Sequence, residues 1–240
     1  MKILITNDDG INAEGIRTLA LWAKNLGEVT VIAPKVEQSG KSHAIEFTKP
    51  FNIRRVDFAD GINAWEVDST PADCVRFGFM GLHEQYDLVL SGINRGVNLG
   101  ADIVYSGTVG AIFEATRMNS RGIAVSTYPN TLNEAAKELN GVADYIKKKD
   151  LLKLNPIYNI NIPPSPKGIR ITKQGSPYFS DEFTLIEGES YLQMGRQIPD
   201  VDPTDDTRDT VSVEAGYISI TPLMATRTNM ELFRILNEKQ

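Results

Sequence analysis

The chain has 240 residues, a formal net charge of −6, and 41% hydrophobic and 23% charged residues. This length suits one large domain, or one domain with an appendage, and the acidic balance argues against binding to nucleic-acid polymers or anionic membranes, which requires a basic surface. The single cysteine, Cys74, excludes an intrachain disulfide and, with an N-terminal sequence unlike a signal peptide, predicts a cytoplasmic protein.

Apolar runs of strand length alternate with helical patterns along the first two-thirds of the chain, which is typical of β-α-β units. The sequence therefore predicts an α/β fold with a doubly wound, mostly parallel sheet, Rossmann-like and in three layers. Residues 47–67 differ, because they predict a β-hairpin with a turn at Asp60-Gly61. The other predicted strands cover residues 2–6, 28–33, 87–90, 122–126 and 156–162, and the predicted helices cover residues 12–26, 109–118 and 133–149.

The final third of the chain has a different composition. Prolines and acidic residues become frequent, and residues 199–209 are polar and loop-like, followed by a predicted strand at 217–221 and a helix at 230–236. This part has too little apolar content to form a core of its own. We therefore predict one domain overall, with a catalytic α/β core over residues 1–165 and an extension over residues 166–240 that packs on that core and on a partner subunit.

The first candidate site is the motif Asn7-Asp8-Asp9-Gly10, which directly follows the first predicted strand. Ligands of open α/β sheets bind at the carboxyl ends of strands, and two adjacent acids repel each other unless a cation joins them. Oxygen ligands of this kind suit hard divalent cations such as Mg²⁺ and Mn²⁺. Gly10 allows a tight turn and Asn12 could cap the next helix. The alternative is that the acids are themselves only turn and cap residues.

A second candidate is Gln38-Ser39-Gly40-Lys41-Ser42, which follows the second predicted strand. Gly40-Lys41-Ser42 matches the end of a P-loop motif. A P-loop also needs a glycine five positions before Gly40, where this chain has Lys35. A triphosphate-binding P-loop is therefore excluded. Ser39 remains as a hydroxyl at the carboxyl end of another strand, where it is either a ligand or an ordinary loop residue. His43, just beyond this motif, lies either near the site, because it follows Ser39, or at the surface, which is the favoured prediction.

The third candidate is the glycine-rich stretch of residues 91–100, which follows the strand predicted at 87–90 and is expected to end it. Its glycines allow the backbone to approach a ligand closely, and Asn94 offers a neutral oxygen ligand. The spacing is not that of a dinucleotide-binding loop. The alternative is a glycine-rich loop without a ligand.

The fourth candidate is Tyr105-Ser106-Gly107-Thr108-Val109-Gly110, which opens a predicted helix. Small residues at a helix N-terminus expose unpaired amides, and these amides and the helix dipole attract phosphate. Ser106 and Thr108 add hydroxyl donors. The alternative is an ordinary Ser/Thr helix cap.

In this order and at these strand ends, the four motifs closely resemble the SurE family, the survival proteins that are 5′/3′-nucleotidases. The resemblance runs nearly end to end, and it also rests on residues 33–34, 70–75, 159–163 and 216–223. Two departures are visible. Ser69 stands where the family usually has glycine, and residues 204–215 form a longer stretch than the family pattern has.

The resemblance implies one divalent metal cation per subunit, Mg²⁺ or Mn²⁺, held by Asp8, Asp9, Ser39 and Asn94. It implies hydrolysis of nucleoside 5′-monophosphates, extending in some members to 3′-monophosphates and short polyphosphate. It further implies a homodimer, often paired into a tetramer, in which C-terminal segments reach across to the neighbouring subunit. Neither a nucleic-acid polymer nor a membrane is expected as a partner.

We expect Asp8 or Asp9 to orient the attacking water or accept its proton, while the bound cation lowers the pKa of that water. The remaining phosphate oxygens are expected to be held by four residues, namely Asn12, Ser106, Gly107 and Thr108. Three alternatives stay open: an aspartyl-phosphate intermediate on Asp8, a nucleotide-binding protein without turnover, and a sugar-nucleotide transferase, for whose second domain 240 residues leave little room.

Overall fold

The computed structural model describes residues 1–238, which contain eleven strands and seven α-helices, with a π-helical turn at Phe77–Gly81 and a 3-10 helix at Gly100–Tyr105. The strands are β1 (Lys2–Thr6), β2 (Glu28–Pro34), β3 (Ile53–Ala59), β4 (Ile62–Val67), β5 (Leu88–Arg95), β6 (Arg121–Thr127), β7 (Ile157–Ile162), β8 (Ile169–Ile171), β9 (Phe179–Glu187), β10 (Ser190–Gln197) and β11 (Ile218–Pro222). The helices are α1 (Glu14–Ala23), α2 (Pro71–Arg76), α3 (Gly107–Arg117), α4 (Leu132–Lys148), α5 (Leu151–Leu154), α6 (Asp209–Glu214) and α7 (Met230–Asn237).

Nine strands form the central sheet in the order β3-β4-β2-β1-β5-β6-β7-β11-β8. The six strands from β4 to β7 in that order are parallel, whereas β3 and β11 run antiparallel to β4 and β7. The predicted α/β fold with a mostly parallel sheet is therefore confirmed, and so is the hairpin that turns at Asp60-Gly61 between β3 and β4. Because the chain moves from β1 to β2 on one side and later returns to β5 on the other, a topological switch point lies between β1 and β5.

Helices cover both faces of the sheet, with α1 and α4 on one face and α2 and α3 on the other. Side chains alternate between these faces along β1, where Ile3 and Ile5 join the core under α1 and α4, and Leu4 joins the core under α2 and α3. All three are fully buried, as expected for a parallel strand covered on both sides. None of the helices in the described chain combines the length and the apolar character that crossing a bilayer requires.

Two sequence predictions about the sheet and its first helix are wrong. The strand predicted at 87–90 does not end at Ser91-Gly92 but continues to Arg95, with irregular pairing to β6 between Gly92 and Asn94. The glycine-rich sequence hides this continuation, because glycine is depleted in strands. Asn12 does not cap α1, since the helix begins at Glu14 and its N-cap, Ala13, makes no side-chain cap hydrogen bond.

The segment after residue 165 divides into parts that join the sheet and parts that lie outside it. β8 and β11 extend the central sheet, whereas β9 and β10 form a separate two-stranded hairpin. Nearly every residue of that hairpin is exposed, and α7 has no buried residue. The division of the chain at residue 165 stays a prediction, and Lys239 and Gln240 of the predicted extension lie outside the described residues.

Candidate active site

All four predicted metal ligands and one predicted phosphate ligand line a single cavity beside the switch point. The cavity has a volume of about 480 Å³, and its lining includes Asp8, Asp9, Ser39, Asn94 and Ser106. The two acids follow β1, the serine at position 39 follows β2, the asparagine lies near the end of β5, and the second serine precedes α3. Strands β1, β2 and β5 are parallel, so their carboxyl ends meet at one edge of the sheet, where ligands bind in folds of this kind.

The turn after β1 is closed by its own polar groups. Asn7 Nδ2 donates to the Gly10 carbonyl over 2.9 Å, and the Gly10 N–H donates back to Asn7 Oδ1 over 3.2 Å. Gly10 has a φ of +99°, which residues with a side chain rarely adopt. The tight turn predicted at this glycine is present, and it presents the carboxylates of both Asp8 and Asp9 to the cavity.

Asp8 is buried, and the start of α3 fixes the orientation of its carboxylate. Thr108 Oγ1 donates to Asp8 Oδ1 over 2.5 Å, and the Thr108 N–H donates to Oδ2 over 3.2 Å. Burial, together with the nearby charge of Asp9, raises the pKa of Asp8 to about 6, although the hydrogen bonds from Thr108 act in the opposite direction. An ionised Asp8 therefore needs a compensating positive charge at this position.

Asp9 is half-buried and is held by the end of β5. Its Oδ2 accepts the N–H of Arg95 over 3.0 Å. Burial raises the pKa of Asp9, and the hydrogen bond and positive charge of Arg95 offset only part of that effect. Two adjacent acids with raised pKa values form a pair whose repulsion a divalent cation would relieve.

Ser39 and Asn94 contribute neutral oxygen atoms. Ser39 is exposed, and its Oγ donates to Glu37 Oε1 over 2.6 Å. Asn94 Nδ2 donates to the Gly96 carbonyl over 2.7 Å, and the amide oxygen Oδ1 has no hydrogen-bond partner among residues 1–238. The serine oxygen and the amide oxygen both keep lone pairs that a cation could use.

The first turn of α3 combines a helix cap with close packing against Asp8. Ser106 Oγ accepts the Val109 N–H over 3.1 Å and so caps the helix, which leaves its hydroxyl proton available as a donor. A Cβ atom added to Gly107 would lie only 3.1 Å from Asp8 Cβ. Thr108 uses both of its donors on Asp8. In this structure Thr108 therefore orients Asp8, and the phosphate contacts expected of all three residues stay a prediction.

Asn12 lies in a second cavity, also of about 480 Å³, on the α1 side of the acid pair. It is exposed, and this cavity shares Asp9, Asn94 and Arg95 with the first one. Ser106 approaches the acids from the α3 side, which is the other face of the sheet. Asn12 and the first turn of α3 could therefore contact one phosphoryl group only from opposite sides.

The comparison with known proteins identifies the family. A family model described as survival protein SurE matches residues 3–181. The chain belongs to the SurE family. The 5′-nucleotidase SurE of Thermoanaerobacter sp. (strain X514) is 39% identical over 247 residues, which cover 99% of this chain and 97% of that protein. The 5′-nucleotidase SurE of Thermosipho africanus (strain TCF52B) is 38% identical, with coverage of 100% and 97%. The crystal structure of the SurE protein from Aquifex aeolicus has a TM-score of 0.82 at 31% identity and covers 99% of both chains.

The donor set of this SurE-family site suits a hard divalent cation. It offers two carboxylates, one hydroxyl and one amide oxygen, which are the ligand types that Mg²⁺ and Mn²⁺ prefer. Within residues 1–238, no group of three or more His, Cys, Asp or Glu side chains is arranged to hold a metal. A site built on Asp8 and Asp9 must therefore be completed by neutral oxygens, as Ser39 and Asn94 would do.

The charge of both cavities is strongly acidic, with one exception that the sequence analysis missed. Arg95 is the cationic side chain in both linings. The other charged residues of the linings are acids, namely Asp8, Asp9, Glu14, Glu37, Asp102 and Asp181. A phosphoryl dianion would be repelled by this surface unless a cation were bound. Arg95 is part of the third motif, but that motif was interpreted from its glycines and asparagines and not from its single charge.

The sequence analysis also missed a buried charge cluster behind the first cavity. Glu114 of α3 is only 2% exposed and contacts His43 and Arg76. The prediction that His43 lies at the surface is wrong, because its ring is half-buried and hydrogen-bonded to this acid. A signal was present in the sequence, since Glu114 falls between Ala111 and Ala115 on the face of α3 that packs on the sheet.

Proposed function

We propose that this chain is a divalent-metal-dependent 5′-nucleotidase, which hydrolyses nucleoside 5′-monophosphates to nucleoside and inorganic phosphate. The observation that carries the proposal is the convergence of two carboxylates and two neutral oxygen donors on one cavity, next to the start of α3. The relatives named 5′-nucleotidase SurE, at 38% and 39% identity, support the same reaction. Nucleoside 3′-monophosphates and short polyphosphate are the further substrates to be tested.

The residues that would hold the metal ion, Mg²⁺ or Mn²⁺, are Asp8, Asp9, Ser39 and Asn94. When bound, such an ion supplies positive charge for the phosphoryl oxygens and for activation of a water nucleophile. The acid pair suits this role because each carboxylate is already oriented by a backbone N–H, from Thr108 in one case and from Arg95 in the other. Little side-chain entropy is then lost when the ion binds.

Asp9 is the better placed of the two acids to orient the attacking water and accept its proton. It is more exposed than Asp8, and its Oδ1 accepts no hydrogen bond from residues 1–238. Its raised pKa brings its basicity closer to neutral pH, which favours proton transfer.

The start of α3 supplies donors for the phosphoryl oxygens. Ser106 keeps a hydroxyl proton, and the Gly107 N–H has no acceptor among residues 1–238. Both donors lie at the positive end of the helix dipole, which favours an anion. Asn12 would complete the contacts from the α1 side, and the Arg95 guanidinium would add positive charge from the rim.

Phosphate release from AMP, with Mn²⁺ added and with an EDTA control, tests the proposal directly. We expect release that depends on Mn²⁺ and that is lost in Asp9→Asn. AMP that binds but is never hydrolysed, in the presence of either metal, would favour the alternative of a nucleotide-binding protein without turnover.

Acid quenching of a single turnover with phosphorus-32-labelled AMP separates the two hydrolytic mechanisms. Direct attack by water releases free phosphate and leaves no label on the protein. An aspartyl-phosphate on Asp8 would instead be trapped as a labelled phosphoprotein before water hydrolyses it. We expect no phosphoprotein, because Thr108 hydrogen-bonds both carboxylate oxygens of Asp8 and thereby lowers their nucleophilicity.

Self-association is part of the proposal. The hairpin β9–β10 and α7 expose large apolar side chains, namely Phe179, Phe183, Leu185, Ile186, Tyr191, Leu192, Met194, Met230, Leu232, Phe233, Ile235 and Leu236. A partner subunit is the simplest cover for such a surface. We propose a homodimer in which residues 166–240 pack on the core and on the neighbouring subunit, with a tetramer as its larger form. The cytoplasmic location stays a prediction from the sequence.

A further inference from the structure

Glu114 is a buried acid that the reaction proposed above does not use. Its Oε2 lies 2.7 Å from His43 Nε2, its Oε1 lies 3.0 Å from Arg76 Nη1, and Arg117 approaches Oε2 from the exposed side at 3.6 Å. Burial acts to raise the pKa of Glu114, but the hydrogen bonds from His43 and Arg76 outweigh it and hold that pKa below its usual value. A carboxylate only accepts hydrogen bonds, so His43 Nε2 carries the proton in this contact.

His43 belongs to the irregular stretch that carries Ser39. We call residues 38–46 the Ser39 segment, which contains no helix or strand. At its start, the Gln38 N–H donates to the Asp8 carbonyl over 2.7 Å. Further along, the Ser42 N–H donates to the Tyr105 carbonyl over 3.0 Å. Ser39 lies between these two contacts, and its hydroxyl bonds to Glu37, which directly precedes the segment. The position of Ser39 therefore depends on how firmly the segment is held.

The Ser39 segment rests directly on α3. A Cβ atom added to Gly110 would lie 2.3 Å from the Ser42 carbonyl oxygen, so this helix position leaves room for the segment only as glycine. Glu114 follows Gly110 by four residues and therefore lies on the same face of α3, one turn further on. The same helix orients Asp8 through Thr108 at its first turn. One rigid helix thus holds two separate parts of the candidate metal site.

We propose that His43 and Glu114 are positioning residues that hold Ser39 in place for the divalent cation. The inference rests on the proposed function only in assuming a cation at the Asp8–Asp9 pair. Without the contact between His43 and Glu114, the Ser39 segment would keep its hydrogen bonds at Ser42, Ala44 and Glu46 but lose its contact with the buried acid of α3. Cation binding would then have to order the segment, which opposes binding.

The positioning role of His43 and Glu114 is tested by measuring Mn²⁺ binding to the purified full-length protein. The measurement uses electron paramagnetic resonance without substrate. We expect His43→Ala to weaken Mn²⁺ binding by about 10- to 100-fold, the usual effect of removing a group that orients a metal ligand. His43→Gln should restore most of the affinity, because its amide N–H can donate to Glu114. Arg117→Ala is the matched control, since Arg117 contacts the same carboxylate from the exposed side and is 65% exposed.

The activity data should follow the binding data. For AMP hydrolysis, His43→Ala should be impaired at low Mn²⁺ and should approach the wild-type kcat when Mn²⁺ saturates, which a general loss of structure would not produce. If His43→Ala does not fold, His43→Asn takes its place, because asparagine is too short to reach Glu114 and the same loss is expected.

Three outcomes decide the matter. Wild-type Mn²⁺ affinity in His43→Ala overturns the inference, and so does an equal loss of affinity in Arg117→Ala. A wild-type protein that fails to hydrolyse AMP, while His43→Ala still binds Mn²⁺ more weakly, contradicts the proposed function but supports the positioning pair.

Discussion

Two regions of the molecule are stabilised in different ways. One is the edge of the sheet around Asp8, and the other comprises the outer elements near the C-terminus, which are the hairpin β9–β10 and α7. At the sheet edge, the carboxylates of Asp8 and Asp9 are buried and half-buried, and each has a hydrogen-bond partner in the same chain, as Asp8 has in Thr108. In the outer elements the large apolar side chains face solvent, with Phe183 70% and Phe233 52% exposed. One chain therefore suffices to set the geometry of the candidate site, whereas the outer elements need a second surface to bury their apolar side chains.

The largest expected effect comes from the sheet edge. Asp9→Asn removes a charged metal ligand and the proposed proton acceptor, so we expect AMP hydrolysis to fall by about 10²- to 10⁴-fold. Thermal unfolding in EDTA should be unchanged or shifted to higher temperature, because the repulsion with Asp8 disappears. An Asp9→Asn protein with wild-type turnover would remove Asp9 from the mechanism.

The free energy of unfolding of the metal-free protein is expected to depend on pH, because the acid pair at the sheet edge is buried. The pKa of Asp8 is about 6 in the folded chain and 3.8 for an ordinary aspartate, so the folded state binds the proton more tightly. Ionisation of Asp8 therefore lowers the free energy of unfolding as pH rises through this interval, by about 3 kcal/mol once pH exceeds the folded pKa.

Urea unfolding of wild type and Asp8→Asn in EDTA, between pH 4 and pH 8, measures this difference, to within about 1 kcal/mol. Asparagine cannot ionise, so the variant should become the more stable protein as pH rises, and Mn²⁺ should restore the wild type. Parallel pH curves for the two proteins would show that Asp8 is not destabilised by its burial.

A smaller effect is expected at Arg95, which lies on the rim that both cavities share. Arg95→Ala should raise the KM for AMP by about tenfold with little change in kcat, because a rim charge attracts the phosphate without contacting the reacting atoms. The difference should shrink at high salt. Arg121→Ala is the control, since that exposed arginine starts β6 at the opposite edge of the sheet. Equal KM values for wild type and Arg95→Ala would exclude this role.

The smallest effect on the stability of a single chain is expected in the outer elements. The double variant Phe183→Ser and Phe233→Ser should change the free energy of unfolding by less than about 0.5 kcal/mol in dilute protein. The same variant should weaken self-association, measured by sedimentation. Ile160→Ala in the fully buried core is the contrast, with an expected loss of about 2–5 kcal/mol. An unchanged association state would show that these apolar side chains are not part of the subunit interface.

The sequence predicts the regular part of the fold because the physical signal is local there. The buried parallel strand β1 contains the apolar run Ile3-Leu4-Ile5, and α4 has the spacing of an amphipathic helix. The end of β5 was missed because Gly92 and Asn94 give no strand signal, although their backbone pairs with β6. The short strand β8 was missed because its three residues carry no periodicity.

The sequence predicts the ligand residues of the candidate site but not the hydrogen bonds that position them. Asp8 and Asp9 are recognisable because they come just after an apolar strand, and Asn94 because it follows the apolar run at the start of β5. The parallel sheet then brings the three residues together. The role of Thr108 as the residue that orients Asp8 could not be read from spacing, because 100 residues separate the two. The contact between His43 and Glu114 spans 71 residues, and it depends on the packing of the Ser39 segment against α3 at Gly110.

Anomalous diffraction at the manganese edge, from crystals grown with Mn²⁺, tests the central claim most directly. One strong peak per subunit should lie within coordination distance, about 2.0–2.4 Å, of oxygen atoms from Asp8, Asp9, Ser39 and Asn94. A structure at the same Mn²⁺ concentration with no peak between these side chains, or with the peak elsewhere, would contradict the account.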